Sequence, residues 1–205
     1  MLEDREAVNA SLEAEGLPRV SIGIGLSTGE MTIGNMGSDD FFAYTALGDR
    51  VNLGARLEGQ TKSYGVSIIL SEATYRAVAD HMVCRELDLV RVKGKQAPER
   101  IYELLGPVDT ERDLLPFVET FHAGLALFRA RRFAEARSQF EAARVARGDD
   151  RCAEQYRDLA AHLELHPPPP DWDGVREATT KCKHVVGCRA RPHPLPPKDV
   201  FSRAS

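Results

Sequence analysis

Tyr44-Thr45-Ala46-Leu47-Gly48-Asp49-Arg50-Val51-Asn52-Leu53-Gly54-Ala55-Arg56-Leu57-Glu58 is the stretch on which the fold turns. An extended aromatic run, Phe41–Leu47, stops at Gly48-Asp49, and apolar residues then recur at Val51, Leu53, Ala55 and Leu57. This predicts a strand followed by a helix of about three turns that starts near Asp49, whose carboxylate suits the first free N–H groups. Asn52 and Arg56 lie four apart, so they share one helical face and can reach one ligand. On an arbitrary helix the same pair would be a solvated amide and a surface ion pair. The flanking sequence decides between these readings.

Upstream, Val20–Leu26 and Met31–Asn35 are short apolar runs separated by Ser27-Thr28-Gly29-Glu30, which reads as a hairpin. Gly25-Leu26-Ser27-Thr28-Gly29 has the form of a nucleophile elbow, but a strand is expected after it where an elbow needs a helix. Thr28 stands where a dinucleotide fingerprint starting at Gly23 and Gly25 would need its third glycine. The two glycines are better suited to close packing. Downstream, Val66–Leu70 reads as a strand, Ser71–Asp80 as a helix with a Ser-x-x-Thr start, and Val83–Val92 and Arg100–Leu105 as strands. Residues 3–15 form a helical lead-in ended by Gly16 and Pro18. Strands and helices therefore interleave over residues 1–106, an α/β or α+β pattern.

Beyond Gly106-Pro107 the period becomes helical: Leu114, Phe117, Phe121, Leu125 and Phe128, then Phe133, Ala136, Phe140 and Ala143 after a break at Arg131-Arg132. Gly124, Ala136, Phe140 and Ala143 fall at offsets used by the tetratricopeptide repeat, so residues 107–165, with a third helix at Arg151–Leu165, read as a TPR-like helical extension. One repeat and a helix cannot make a solenoid, so this segment is expected to pack on the preceding domain or on a partner. Residues 166–205 begin at Pro167–Pro170, are rich in Pro, Arg and Lys, and read as a disordered tail.

The 205 residues carry a formal net charge of -4, with 42% hydrophobic and 28% charged residues, an ordinary globular composition. Residues 182–205 hold Lys183, Arg189, Arg191, Lys198 and Arg203 against Asp199, which leaves the remainder acidic and argues against nucleic acid as a partner. Four cysteines without a CxxC pair suggest a reducing compartment and no disulfide scaffold. Cys182, Cys188, His184 and His193 match no zinc spacing. An acidic N-terminus and the lack of a long apolar run predict a cytoplasmic chain without a signal peptide or membrane span.

Several co-linear blocks resemble the class III purine nucleotide cyclases, the adenylate and guanylate cyclase family: Val20–Glu30, Gly34-Asn35-Met36-Gly37-Ser38, Tyr44–Glu58, Thr61–Gly65, Arg85-Glu86-Leu87-Asp88, Val92-Lys93-Gly94-Lys95 and Ile101-Tyr102-Glu103-Leu104. The helical region resembles the tail that follows the cyclase domain in bacterial members carrying a membrane-bound sensor. The resemblance implies a partial, ferredoxin-like cyclase domain that forms a 3′,5′-cyclic nucleotide and pyrophosphate from ATP or GTP at a dimer interface. By the same resemblance Asn52 orients the ribose, Arg56 meets charge developing on the α-phosphate, and Lys93 contacts the terminal phosphates. Arg50, on another helical face, is given no role.

Two departures qualify the match. The family's two Mg²⁺ or Mn²⁺ ions are held by aspartates on opening strands upstream of the Val20 block, and residues 1–19 contain no Phe-x-Asp or Gly-Asp block. The fragment is thus expected to be inactive alone, with no metal ligands of its own. Ala43 stands where adenine-specific members place an Asp, and a methyl cannot accept from the purine amino group. Block similarity still favours adenine. The alternatives are a non-catalytic module that pairs with an intact cyclase, and a truncated product. Attachment to a membrane would come only through a sensor absent from this sequence.

Overall fold

The chain alternates strands and helices as far as residue 107 and is helical from there to residue 165. The computed structural model describes residues 2–38, 41–92, 97–148 and 150–178. Its first part runs α1 (Leu2–Ala14), β1 (Ile24–Leu26), β2 (Thr32–Ser38), β3 (Phe41–Leu47), α2 (Asp49–Tyr64), β4 (Ile68–Ser71), α3 (Glu72–Val78), β5 (Met82–Val92) and β6 (Glu99–Pro107). The short α4 (Val108–Glu111) leads to α5 (Leu115–Arg129), α6 (Phe133–Arg147) and α7 (Arg151–Leu165), and β7 (Arg176–Ala178) closes the described chain. The result is a mixed α+β fold.

Local signals place several boundaries. Ser71 caps α3 by accepting from the Thr74 N–H at 3.3 Å, and Asp150 caps α7 through Ala153 N–H at 2.7 Å. The α5–α6 turn passes through Arg131, which takes a left-handed φ of 62°.

The main sheet has the order β1-β4-β6-β5-β7, with β1/β4 and β5/β7 parallel and the two central pairs antiparallel. The hairpin expected between Val20–Leu26 and Met31–Asn35 does not form. Instead β1 pairs with β4, and β2 pairs with β3 in a separate sheet over seven positions, from Thr32↔Leu47 to Ser38↔Phe41. A turn signal shows where the chain bends but not which strand it returns to, and β1 is claimed by a partner more than forty residues on.

One hydrophobic core runs through both parts of the chain. Leu53, Leu57, Ile69, Leu87 and Ile101 belong to the same buried cluster as Phe117, Phe121, Phe128, Phe140 and Tyr156. The helices thus pack on the preceding sheet, and residue 106 marks a change of architecture within a shared core. A Cβ on Gly124 would lie 2.8 Å from the Phe140 ring, so α5 and α6 approach closely at that glycine.

Residues 167–178 correct the expectation of a disordered tail. Arg131 donates to the carbonyls of Pro168, Pro169 and Pro170. Trp172 packs edge-on against Phe128 and Phe133, at centroid distances of 5.5 and 5.9 Å. Arg91 pairs with Asp173 at 3.0 Å, and β7 then adds to the end of β5. A composition-based reading weighs average burial, whereas here one indole and a few hydrogen bonds hold a short segment. The tail beyond, with Cys182, His184, Cys188 and His193, lies outside the described residues.

The extension also supplies groups to β5 between its ends. The Glu86 N–H donates to His122 Nε2 at 2.8 Å, and Tyr156 Oη–H donates to Leu87 O at 3.0 Å. Burial, opposed by Glu86 and assisted by the Arg85 and Arg129 charges, holds the His122 pKa below the usual imidazole range. Because the folded pKa is depressed, the unfolded chain binds more protons below about pH 6.5, so this group destabilises the fold as pH falls. His122→Gln should therefore lose less stability than the parent between about pH 7 and pH 5, as measured by urea midpoints. Equal losses would exclude His122 as a contributor.

Candidate active site

Helix α2 carries the residues singled out by sequence, and its packing explains their placement. Leu53, Leu57, Thr61 and Tyr64 form its buried stripe, whereas Asn52 and Arg56 lie exposed beside it. The helix is longer than the three turns expected, at 16 residues, and Gly48 rather than Asp49 is its N-cap. Asp49 is instead an acidic residue of the first turn, where it favours the helix dipole. The Gly65 C-cap takes a left-handed φ of 71°.

Direct backbone contact seats α2 on β1. A Cβ on Gly25 would stand 2.1 Å from the Gly54 carbonyl oxygen and 2.4 Å from the Glu58 nitrogen, and one on Gly23 would stand 2.2 Å from Thr61 Oγ1. Any larger residue must push the helix, and Asn52 and Arg56 with it, away from the sheet. From Gly54, by contrast, a Cβ would meet the Gly25 oxygen at 3.6 Å, an ordinary contact. Gly25→Ala should therefore cost about 3 kcal/mol, while Gly54→Ala should add about 1 kcal/mol through helix propensity. Chemical denaturation of the two variants checks the pair. A harmless Gly25→Ala would show that α2 is not held against β1.

Gly25 and Leu26 end β1 and Gly29 is followed by β2, so Gly25–Gly29 leads from one strand to the next and lacks the helix of a nucleophile elbow. Arg50 pairs with Glu99 at 3.2 Å and packs its side chain against Gly29. It therefore ties the start of α2 to β6, which the sequence did not indicate. Ala43 lies on β3, paired in register with Met36, on the strand that leads into α2. Lys93, with Gly94 and Lys95, lies outside the described residues. The structure thus brings Asn52 and Arg56 onto one exposed face and says nothing of their relation to Lys93.

Among the described residues no group of three or more His, Cys, Asp or Glu side chains can hold a metal ion. The described residues therefore offer no cluster for the two metals that the resemblance implies. Among those same residues no helix is long and apolar enough to cross a membrane.

Two clusters of buried charge that the sequence did not reveal lie behind α2. Arg85, fully buried, reaches Glu103 at 2.5 Å and Asp150 at 2.8 Å, while its guanidinium lies over the Phe117 and Phe121 rings at 4.9 and 4.5 Å. Its Glu103 contact is an ion pair without hydrogen-bond alignment at Nη2. Burial alone would lower the Arg85 pKa, but Glu103 and Asp150 raise it, so the group stays charged. Arg147 joins the cluster, at 3.0 Å from Glu103 and 3.1 Å from Asp150. In the second cluster Tyr64 Oη–H donates to Asp88 Oδ2 at 2.8 Å, and Arg176 Nε pairs with the same oxygen at 3.2 Å. Burial raises the Asp88 pKa, while Arg176 and the Tyr64 hydroxyl oppose the rise.

Comparison with known proteins gives a consistent result. Residues 2–106 match the family described as the adenylate and guanylate cyclase catalytic domain. Adenylate cyclase 1 of Rhizobium meliloti is 38% identical over 108 residues, covering 52% of this chain and 16% of that protein. The adenylate cyclase of Anabaena cylindrica is 39% identical over 92 residues, covering 43% of this chain and 18% of that protein. The chain therefore spans less than a fifth of the length of these relatives. The adenylyl cyclase CyaB from P. aeruginosa aligns with a TM-score of 0.46 at 31% identity, covering 50% of this chain and 52% of that one.

Proposed function

Because the chain belongs to the adenylate and guanylate cyclase catalytic domain family, we propose that it supplies Asn52 and Arg56 to an interfacial site that cyclises a purine nucleoside triphosphate. The ribose 3′ oxygen attacks the α-phosphorus as its hydroxyl proton passes to water. The bond from that phosphorus to the bridging oxygen of the β-phosphate breaks, giving a 3′,5′-cyclic monophosphate and pyrophosphate. Asn52 holds the ribose, and Arg56 spreads positive charge over the phosphoryl oxygens as attack proceeds. Lys93 meets the leaving pyrophosphate as a point charge. The observation that carries the proposal is the exposed Asn52–Arg56 face on a helix clamped to β1.

The metals that family members use, Mg²⁺ or Mn²⁺, would be held by carboxylates from outside these 205 residues, either upstream in a longer chain or in a partner domain. ATP is the favoured substrate because the relatives named above are adenylate cyclases, although Ala43 leaves the purine amino group without the usual acceptor. Residues 1–106 would be the later part of a ferredoxin-like cyclase domain in the cytoplasm, and residues 107–165 a TPR-like extension to it. Joining the chain to an upstream half that carries the two aspartates, and assaying it with ATP and GTP, tests the proposal. Cyclic nucleotide from either purine supports it, and a folded but inactive dimer counts against it.

A second reading, a pairing module that does no chemistry, is favoured by the apolar surface of the β2–β3 hairpin and the loop before it. Met31, Ile33, Tyr44 and Leu47 are exposed there, Tyr44 by 77%. Such a surface also suits the dimer that the first reading requires. An Arg56→Ala variant that pairs and functions like the parent would select the second reading.

A further inference from the structure

We propose that the last turn of α2 is a joint through which α7 and the segment 167–178 set the position of the Asn52–Arg56 helix, with Tyr64, Asp88, Gln155 and Arg176 as positioning residues. The inference rests on the functional reading of α2 given above, but its test does not depend on catalysis.

Three contacts converge on that turn, two made directly and one through Asp88 by parts of the chain beyond the family match. Gln155 on α7 donates Nε2–H to the Ser63 carbonyl at 2.8 Å, satisfying one of the helix's final acceptors. Arg151, at the start of α7, packs against Gly65, where a Cβ would lie 2.7 Å from its side chain. Tyr64 donates to Asp88, which also receives Arg176 from β7. The Arg176 guanidinium lies 4.8 Å over the Tyr156 ring, so α7 and β7 are themselves tied together.

Asp88 is the hub. It is 2% exposed, and its other oxygen accepts the Leu89 N–H at 2.8 Å. Losing Arg176 leaves a buried carboxylate with only neutral donors, and the nearest of these that can respond is the Tyr64 hydroxyl on α2. Since α2 is one continuous helix, seated also by the glycine contact with β1 and by Arg50 on Glu99, a shift at Tyr64 is carried to Arg56 two turns away. The segment that ends in β7 is itself held by Arg131 and Trp172 at the α5–α6 turn. Displacement of that segment would therefore release the joint.

Amide hydrogen exchange on the full chain tests this, with α6 as the internal reference for the stability of the extension. Arg176→Ala should speed exchange along residues 50–64 by about tenfold while α6 stays unchanged. Arg176→Lys, which keeps the charge beside Asp88, should restore most of the protection. Tyr64→Phe keeps the ring in the core and removes only the hydroxyl, so it should reproduce the α2 effect even if Arg176→Ala does not fold. If Arg176→Ala and Tyr64→Phe leave α2 protected, or slow and fast segments change together across the whole chain, the joint does not exist. Loss of activity on Arg56→Ala in the joined domain is a separate result, so failure of the functional reading and failure of the joint are told apart.

Discussion

In a domain joined to its upstream half, Arg56→Ala should lower kcat by about one hundredfold and change KM little. An arginine that meets charge appearing during attack stabilises the transition state more than the bound substrate, so its loss is felt in the rate. Arg56 is exposed on the face of α2 that also carries Asn52. Asn52→Ala should act in the same direction by misplacing the ribose. Arg50 is a poor control, because its Glu99 ion pair and its packing on Gly29 tie α2 to β6. Arg76 is better: it pairs with Glu72 on the same short helix, and its side chain is 73% exposed. If Arg56→Ala and Arg76→Ala are equally harmless, family membership reports fold without mechanism.

A stability effect as large as that of Gly25→Ala should come from Arg85→Met, at about 3 kcal/mol. The substitution removes the cation that faces Glu103 and Asp150 and leaves two nearly buried carboxylates to share the cation of Arg147. Arg147 keeps the cost at the lower end of the range for broken buried ion pairs. Arg147→Ala should cost only about 1 kcal/mol, because its side chain is partly solvated and Arg85 remains. Adding Glu103→Gln and Asp150→Asn to Arg85→Met should recover part of the loss, since the stranded charges are then gone while the amide at position 150 can still cap α7. Urea midpoints of the four proteins give the comparison. No recovery in the triple variant would mean that lost packing on Phe117 and Phe121, not stranded charge, sets the cost.

The sequence was most legible where structure is decided locally. Ser71 with Thr74 opens α3, and the Phe117–Phe128 period yields α5, each from residues within a few positions of one another. What escaped it depends on distant partners. Nothing in Val20–Leu26 reveals that β1 pairs with Ile68–Leu70, and nothing near Arg176 reveals Asp88. The burial of Arg85 is hidden for a further reason. Register shifts at Val83/Cys84 and Glu86/Asp88 break the alternation of β5, so inward and outward positions cannot be assigned by counting in twos. At the site, Asn52 and Arg56 were legible because a single helix carries both, and Asp88 stood within the Arg85–Asp88 block quoted for its resemblance. Its role as a buried hub needed the third dimension.

The central claim is that this chain gives Asn52 and Arg56 to a site whose metal-holding carboxylates come from elsewhere. It is tested most directly by mixing two proteins: the 205-residue chain, which has Arg56 but among its described residues no cluster for a metal, and the joined domain carrying Arg56→Ala, which has the aspartates but not the arginine. Each alone should make little or no cyclic nucleotide, and the mixture should regain turnover that rises with the amount of the shorter chain added. A mixture that forms heterodimers yet stays as inactive as its parts would contradict the claim.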